Sequence, residues 1–263
     1  MNIFNQKFVN LKIEKNEGIP FIIINRAEKL NALNQNVLSE LKEVWTILSL
    51  TEWKDCPAVV LTGEGEKSFV AGADIAEMQN MDSQTALNFS LLGHQVFHMM
   101  ERFPRPIIAA VNGHALGGGL ELALACDFIM ATPKGQWGLP EAKLGVIPGF
   151  GGWSRLKETL GLHRAKSLVL TAKTYTSEEM YQFGLIYQIC PDLNSLKAQA
   201  IMECKTLSMN GPRAMKMIKK LAETPETHLL QEAKDFASLF QTHDQKEGMH
   251  SFVERRPPNF KNK

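Results

Sequence analysis

Apolar residues follow two rhythms along this chain. Short uninterrupted runs at residues 21–24, 58–61, 107–111, 128–131 and 185–189, each bounded by turn-forming residues, predict buried strands. Between them the apolar positions recur at helical spacing. In 34–50, Leu38, Leu41, Val44, Trp45 and Leu48 share one helical face, and Asn34 is placed to cap it. Segments 86–102, 118–126 and 162–170 predict helices on the same ground.

Strands alternating with helices imply parallel pairing, because parallel neighbours need a crossover between them. After Pro191 the strand-like runs stop, and helices are predicted over 195–207, 212–221, 226–240 and 245–254, with an extended tail from Arg255 through Pro257 and Pro258. The fold class is therefore α/β. The chain divides into a core, 1–195, and a helical C-terminal segment, 196–263. The amphipathic helices of that segment need somewhere to bury their apolar faces, which points to subunit contacts.

Composition narrows the classes of function. With 263 residues, 44% hydrophobic and 22% charged, the chain has material for a sizeable core. A formal net charge of +1 supplies no global field to capture nucleic acid or an acidic membrane, so neither is expected as a partner. Cys56, Cys126, Cys190 and Cys204 are far apart and form no C-x-x-C pair, which suits a reducing compartment. The first residues lack the marks of a secretory or mitochondrial leader, and no apolar run approaches the roughly 20 residues of a membrane span. The expectation is a cytoplasmic protein.

Three segments carry chemistry. In Ala71-Gly72-Ala73-Asp74-Ile75-Ala76-Glu77, small residues meet a helix start, and Asp74 with Glu77 has the spacing of a capping box. The amide of Ala73 precedes that helix and is free to face a ligand; taken alone, the segment reads better as an ordinary loop-to-helix junction. In His114-Ala115-Leu116-Gly117-Gly118-Gly119-Leu120-Glu121, the glycines let a ligand approach the backbone, and a helix's first amides lack internal partners. The run does not fit G-x-G-x-x-G and has no P-loop lysine, while close helix packing remains an alternative use of the glycines. Glu121, in the first turn, leans back toward the Gly118 amide, and its apolar neighbours would raise its pKa toward neutrality. Glu141 lies between Pro140 and Gly145, where proline and glycine constrain the backbone around it. Taken alone it reads as an exposed loop glutamate.

Asn25-Arg26 with Asn31-Ala32-Leu33, the 71–74 loop, Ala109-Ala110-Val111-Asn112-Gly113, the glycine run, Cys126-Asp127, Pro148-Gly149-Phe150-Gly151-Gly152, and Glu247-Gly248-Met249 with Phe252 and Arg255-Arg256 occur in one order. Together they resemble the crotonase, or enoyl-CoA hydratase/isomerase, superfamily. The resemblance implies a spiral of ββα units with a C-terminal α-helical oligomerisation segment, assembled as a homotrimer or homohexamer. It implies that the amides of Ala73 and Gly118 form an oxyanion hole for a thioester carbonyl. It makes Glu121 and Glu141 the catalytic carboxylates, and it places Ala71, Asp74, Ile75, Ala76 and Arg255 against coenzyme A, which is part of the substrate rather than a separate cofactor. The implied reaction is the reversible addition of water to a trans-2-enoyl-CoA. An isomerase of the same superfamily is the nearest alternative, and a non-catalytic acyl-CoA- or RNA-binding oligomer is the alternative of another class. Ala27, Ala76, Leu139 and Trp153-Ser154 depart from the usual pattern without removing a catalytic group.

Other conspicuous residues are expected to be structural. His94 and His98 have the i, i+4 spacing of a metal pair but no third ligand, so no metal is expected. His114 is expected to be satisfied or solvent-facing. Arg213, Lys216, Lys219 and Lys220 are expected to form the solvated face of an amphipathic helix.

Overall fold

The structure, a computed structural model, describes residues 3–222, 234 and 236–263. Among the described residues the strands form two sheets. The larger orders β1 (Leu11–Asn16), β2 (Ile19–Ile24), β3 (Val59–Gly63), β5 (Ile107–Val111), β7 (Phe128–Ala131) and β10 (Gln188–Ile189), antiparallel only between β1 and β2. The smaller orders β4 (Ser68–Ala71), β6 (His114–Leu116), β8 (Gln136–Gly138) and β9 (Tyr175–Thr176).

Chain order and sheet order together describe a spiral. Each turn places one strand in the large sheet, the next in the small sheet, and then a helix. β3 and β4 lead to α2 (Ile75–Met78) and α3 (Ser83–Arg102); β5 and β6 lead to α4 (Gly118–Leu124); β7 and β8 lead to α5 (Gly152–Thr171). The first turn has β2 and α1 (Gln35–Ser49), and only a single bridge, Leu33 to Ala73, stands for its second strand. The fold is the ββα spiral that the resemblance implies.

The strands of the large sheet are covered on both faces. Ile22, Ile24, Val59, Leu61, Ile107 and Ala109 point into the main core, while Phe21, Ile23, Val60, Ile108 and Met130 form a second core. Beyond α6 (Ser177–Gln182), α7 (Leu193–Ser208) covers that second face with Leu196, Ala200 and Cys204. Two-sided burial is why these strands read as continuous apolar runs. Position 195 falls in the first turn of α7, so the helical C-terminal segment begins with a helix that closes the core.

Several expectations need correction. The whole small sheet is missing from the predicted elements, since its strands have two to four residues and include Ser68, His114 and Gln136. Of 185–189 only Gln188–Ile189 is strand; Leu185 and Ile186 are buried in the preceding turn. The helix predicted over 162–170 is the second half of α5, broken by non-helical Gly161. α3 starts at Ser83, with the Asp82 side chain accepting from the Thr85 amide at 2.7 Å. Asn34 caps α1 as read, accepting from Val37 at 2.9 Å. The helix predicted over 226–240 lies largely outside the described residues.

In the C-terminal segment, α8 (Pro212–Ala222) is not solvated along its whole basic face. Lys219 is drawn inward to the carboxylate of Asp127 at 2.6 Å and the carbonyl of Arg105 at 3.2 Å. After α9 (His243–Glu254) the tail is extended and pinned: the amides of Lys261 and Asn262 donate to the buried carboxylate of Asp244, each at 2.7 Å.

One glycine shows how tightly α4 sits on β4. A Cβ on Gly119 would lie 1.9 Å from the carbonyl oxygen of Val70. Backbone cannot yield as a side chain does, so Gly119→Ala is expected to destabilise the fold by at least about 2 kcal/mol. A drop in denaturation midpoint in urea checks this; an unchanged midpoint would mean that α4 can move freely from β4.

Candidate active site

Three adjacent parallel strands of the small sheet deliver the site from the same ends. Ala71 on β4 is in register with Leu116 on β6, and Leu116 with Gly138 on β8. Ala73 lies two residues past the first and Gly118 two past the second, so the two amides emerge side by side. Glu141 follows three residues past Gly138, on a 3₁₀ helix, Pro140–Leu144.

The flanking hydrogen bonds fix those amides and leave them open. Leu33 donates to the Gly72 carbonyl at 2.9 Å, and the Asp74 amide donates to Leu33 at 2.8 Å, pinning both sides of Ala73. Gly117 donates to Gly138 at 2.9 Å, and α4's own ladder begins with Glu121 donating to Gly117 at 3.0 Å. Gly117 has φ 50° and ψ −125°, a conformation that only glycine adopts readily, and it turns the chain from β6 into α4. Among the described residues neither the Ala73 nor the Gly118 N–H has an acceptor.

The two carboxylates stand in contrasting surroundings. Glu121 is 1% exposed, and its Oε1 accepts from the amides of Phe150 at 2.8 Å and Gly152 at 2.7 Å. Burial pushes its pKa up, opposed by those two amides and by the positive charge of Arg155. Glu141 is partly buried rather than the exposed loop residue its local sequence suggests. Its Oε2 is buried without a hydrogen-bond partner among the described residues, and burial, with Glu121's charge adding to it, pushes its pKa up to about 7. Glu141 lies against the glycine turn: its Oε1 is 3.0 Å from where a Cβ on Gly117 would stand.

The remaining candidates fall around this centre unevenly. Ala71 closes β4. Asp74 does not form the capping box, because its carboxylate pairs with Arg26 at 3.0 Å while Glu77 accepts from the Gln35 amide at 3.2 Å. Ile75 is exposed beside it, and the Ala76 carbonyl accepts from Gln79 at 3.3 Å. Arg255 is exposed at the end of α9, and among the described residues its side chain makes no hydrogen bond or ion pair. His114 is satisfied as expected, accepting at Nδ1 from the Gln136 amide at 3.2 Å. His94 and His98 belong to no group of three metal-ligating side chains among the described residues.

Some motif residues prove to be scaffolding. Asn112 donates to the carbonyls of Gly63 at 3.0 Å and Gly65 at 2.6 Å, and Asn31 donates to those of Glu64 at 3.0 Å and Ser68 at 2.8 Å. Both asparagines staple the link between β3 and β4, and so hold the strand that ends beside Ala73. Arg155, which is not among the expected site residues, also bears on this centre. Nothing in its local pattern marks it, since only the fold brings it near Glu121.

Two open amides beside two carboxylates of unlike environment can stabilise a developing oxyanion while protons move next to it. The comparisons give that arrangement a family. The enoyl-CoA hydratase/isomerase signature matches residues 14–263. The crotonyl-CoA hydratase of Syntrophomonas wolfei is 41% identical over 261 residues, covering 96% of this chain and 98% of that one. The short-chain-enoyl-CoA hydratase of Clostridium acetobutylicum is 39% identical, covering 97% and 98%. The crystal structure of the enoyl-CoA hydratase from Bacillus anthracis superimposes with a TM-score of 0.90 at 33% identity, over 97% of this chain and all of that one. This chain belongs to the enoyl-CoA hydratase/isomerase family.

Proposed function

We propose that the protein adds water reversibly across the double bond of a short-chain trans-2-enoyl-CoA, giving the 3-hydroxyacyl-CoA. The thioester oxygen sits between the Ala73 and Gly118 amides. Polarisation there makes the β-carbon electrophilic and stabilises the enolate that forms when water adds. Glu121 takes the proton from water, and Glu141 delivers one to the α-carbon.

The observation that carries this reading is the unequal treatment of the two carboxylates. Two backbone N–H groups and Arg155 favour a charge on Glu121, whereas no donor meets the buried Oε2 of Glu141. On that contrast the proton shared by the pair is assigned to Glu141 as the acid, with Glu121 as the base, although burial raises both. The scheme asks for no metal or redox group; coenzyme A enters with the substrate. Short acyl chains are supported by the names of the two bacterial relatives above.

Hydration needs Glu121 ionised and Glu141 protonated. Activity therefore falls as acid protonates Glu121, and it falls again as pH rises through about 7 and Glu141 loses its proton. Following the loss of the conjugated thioester absorbance of crotonyl-CoA against pH tests this. A rate still climbing well above neutrality contradicts the acid role of Glu141, and no turnover of any enoyl-CoA, short or long, contradicts the function.

Assembly as a homotrimer or homohexamer is supported by the exposed apolar side chains on α8 and α9, namely Ile218, Met249, Phe252 and Val253. In such an assembly Arg255 would reach coenzyme phosphates bound by a neighbouring subunit. Four free cysteines, none of them in a disulfide, support placement in a reducing compartment such as the cytoplasm.

A further inference from the structure

The base Glu121 is held by the Phe150–Gly152 turn, and that turn is held by one arginine. Arg155 lies in the first turn of α5. Its Nε and Nη2 donate to the two carboxylate oxygens of Glu101 on α3, at 2.6 and 3.0 Å. Its Nη1 donates to the Phe150 carbonyl at 2.6 Å. The guanidinium lies over the ring of Phe97, 5.8 Å from its centroid, and the side chain is only 12% exposed. A two-pronged pair of this kind fixes the plane of the guanidinium as well as its position. The third donor then fixes the far side of the peptide group whose neighbour, the Phe150 amide, donates to Glu121. Moreover, Phe150's ring packs edge-on against Phe89 and Phe97, so backbone and side chain of the turn are both anchored to α3.

We propose that Arg155, aimed by Glu101, is a positioning residue for the base: it holds the Phe150–Gly152 turn so that both amides converge on Glu121 Oε1. This rests on the assignment of Glu121 as the base of hydration. His94 and His98, the pair with metal-like spacing, flank this clamp. His98 Nδ1 is 3.5 Å from Glu101, and His94, whose pKa is lowered by burial and then by Arg155, lies beside the Gly151 turn.

The charged groups that face Glu121 are Glu141 from the 3₁₀ helix and Arg155 from α5, with Glu101 and His94 of α3 behind Arg155. Of these, Arg155 favours the ionised base. Losing that charge and the placement of the two amides both move the acid limb of the rate profile to higher pH, which a loss of packing remote from Glu121 would not do.

The test is steady-state hydration of crotonyl-CoA across pH by wild type, Arg155→Met and Arg155→Lys, each checked for folding by circular dichroism. Arg155→Met is expected to lower kcat by about tenfold or more, as misplacement of a reacting group does. Its KM should stay within about threefold of wild type, since ground-state binding is untouched. Its acid limb should shift upward. Arg155→Lys keeps the charge and loses the fork, so its acid limb should shift upward less than that of Arg155→Met, and its kcat should fall by a smaller factor. A folded Arg155→Met with wild-type kcat and an unmoved acid limb overturns the proposal while leaving the hydratase reading intact. Should Arg155→Met not fold, Arg155→Lys decides: lowered kcat at unchanged KM supports the proposal, and unchanged kcat overturns it. Wild type that fails to hydrate overturns the hydratase reading and this inference together.

Discussion

Glu121→Gln and Glu141→Gln are each expected to slow hydration by at least about 100-fold, the lower end of what a positioned acid or base contributes. Both substitutions preserve shape. At position 121 the glutamine carbonyl can still accept from the Phe150 and Gly152 amides, so the turn that holds the side chain has no reason to move. What disappears is the capacity to take a proton from water. At position 141 the buried, unpartnered oxygen becomes part of an amide that cannot deliver a proton to carbon. Because the two groups act on one reaction coordinate, the double variant should be little slower than the slower single one. Rates of crotonyl-CoA hydration for the three variants check this. A single variant running near the wild-type rate would remove that residue from the chemistry.

The second large effect concerns an amide rather than a side chain. Gly118 is the first residue of α4, where proline is tolerated and where its missing N–H breaks no helical bond. Gly118→Pro should therefore delete one oxyanion donor, costing about 3 to 4 kcal/mol of transition-state stabilisation, or a few hundredfold in kcat. Bulk alone must be controlled for, because a Cβ at this position would lie 3.2 Å from the Phe150 ring and 3.3 Å from Leu33. Gly118→Ala adds that Cβ and keeps the N–H. If the account is right, the alanine variant loses far less activity than the proline variant. Equal losses would assign the effect to crowding against Phe150 and not to the amide.

How much of this was legible beforehand follows from burial. The strands of the large sheet announce themselves because Phe21 to Ile24 and Ile107 to Val111 are buried on both faces. The small sheet, which positions Ala73, Gly118 and Glu141, stays hidden because Gln136-Trp137-Gly138 and Tyr175-Thr176 are too short to show a period. The candidate site residues are named by the glycine run and the ordered motifs. Their environments are not: nothing around Pro140-Glu141 tells that one carboxylate oxygen is buried without a partner. Asp74 was misread for a related reason. Its spacing to Glu77 is that of a local cap, yet Arg26, 48 residues earlier, takes the carboxylate. Arg155 shows the same limit, since its three partners lie on α3 and in the preceding turn. Contacts made across the fold leave no mark in local pattern.

In the proposed function, two carboxylates of opposite protonation serve one oxyanion site to add water. This is tested most directly by presenting purified wild-type protein with crotonyl-CoA and with a 3-enoyl-CoA, and identifying the products. Rapid conversion of crotonyl-CoA to 3-hydroxybutyryl-CoA is expected, with any shift of the double bond in the 3-enoyl substrate far slower. Isomerisation of the 3-enoyl-CoA without hydration of crotonyl-CoA would contradict it, leaving one carboxylate to shuttle a proton between carbons and the other without a part in the reaction.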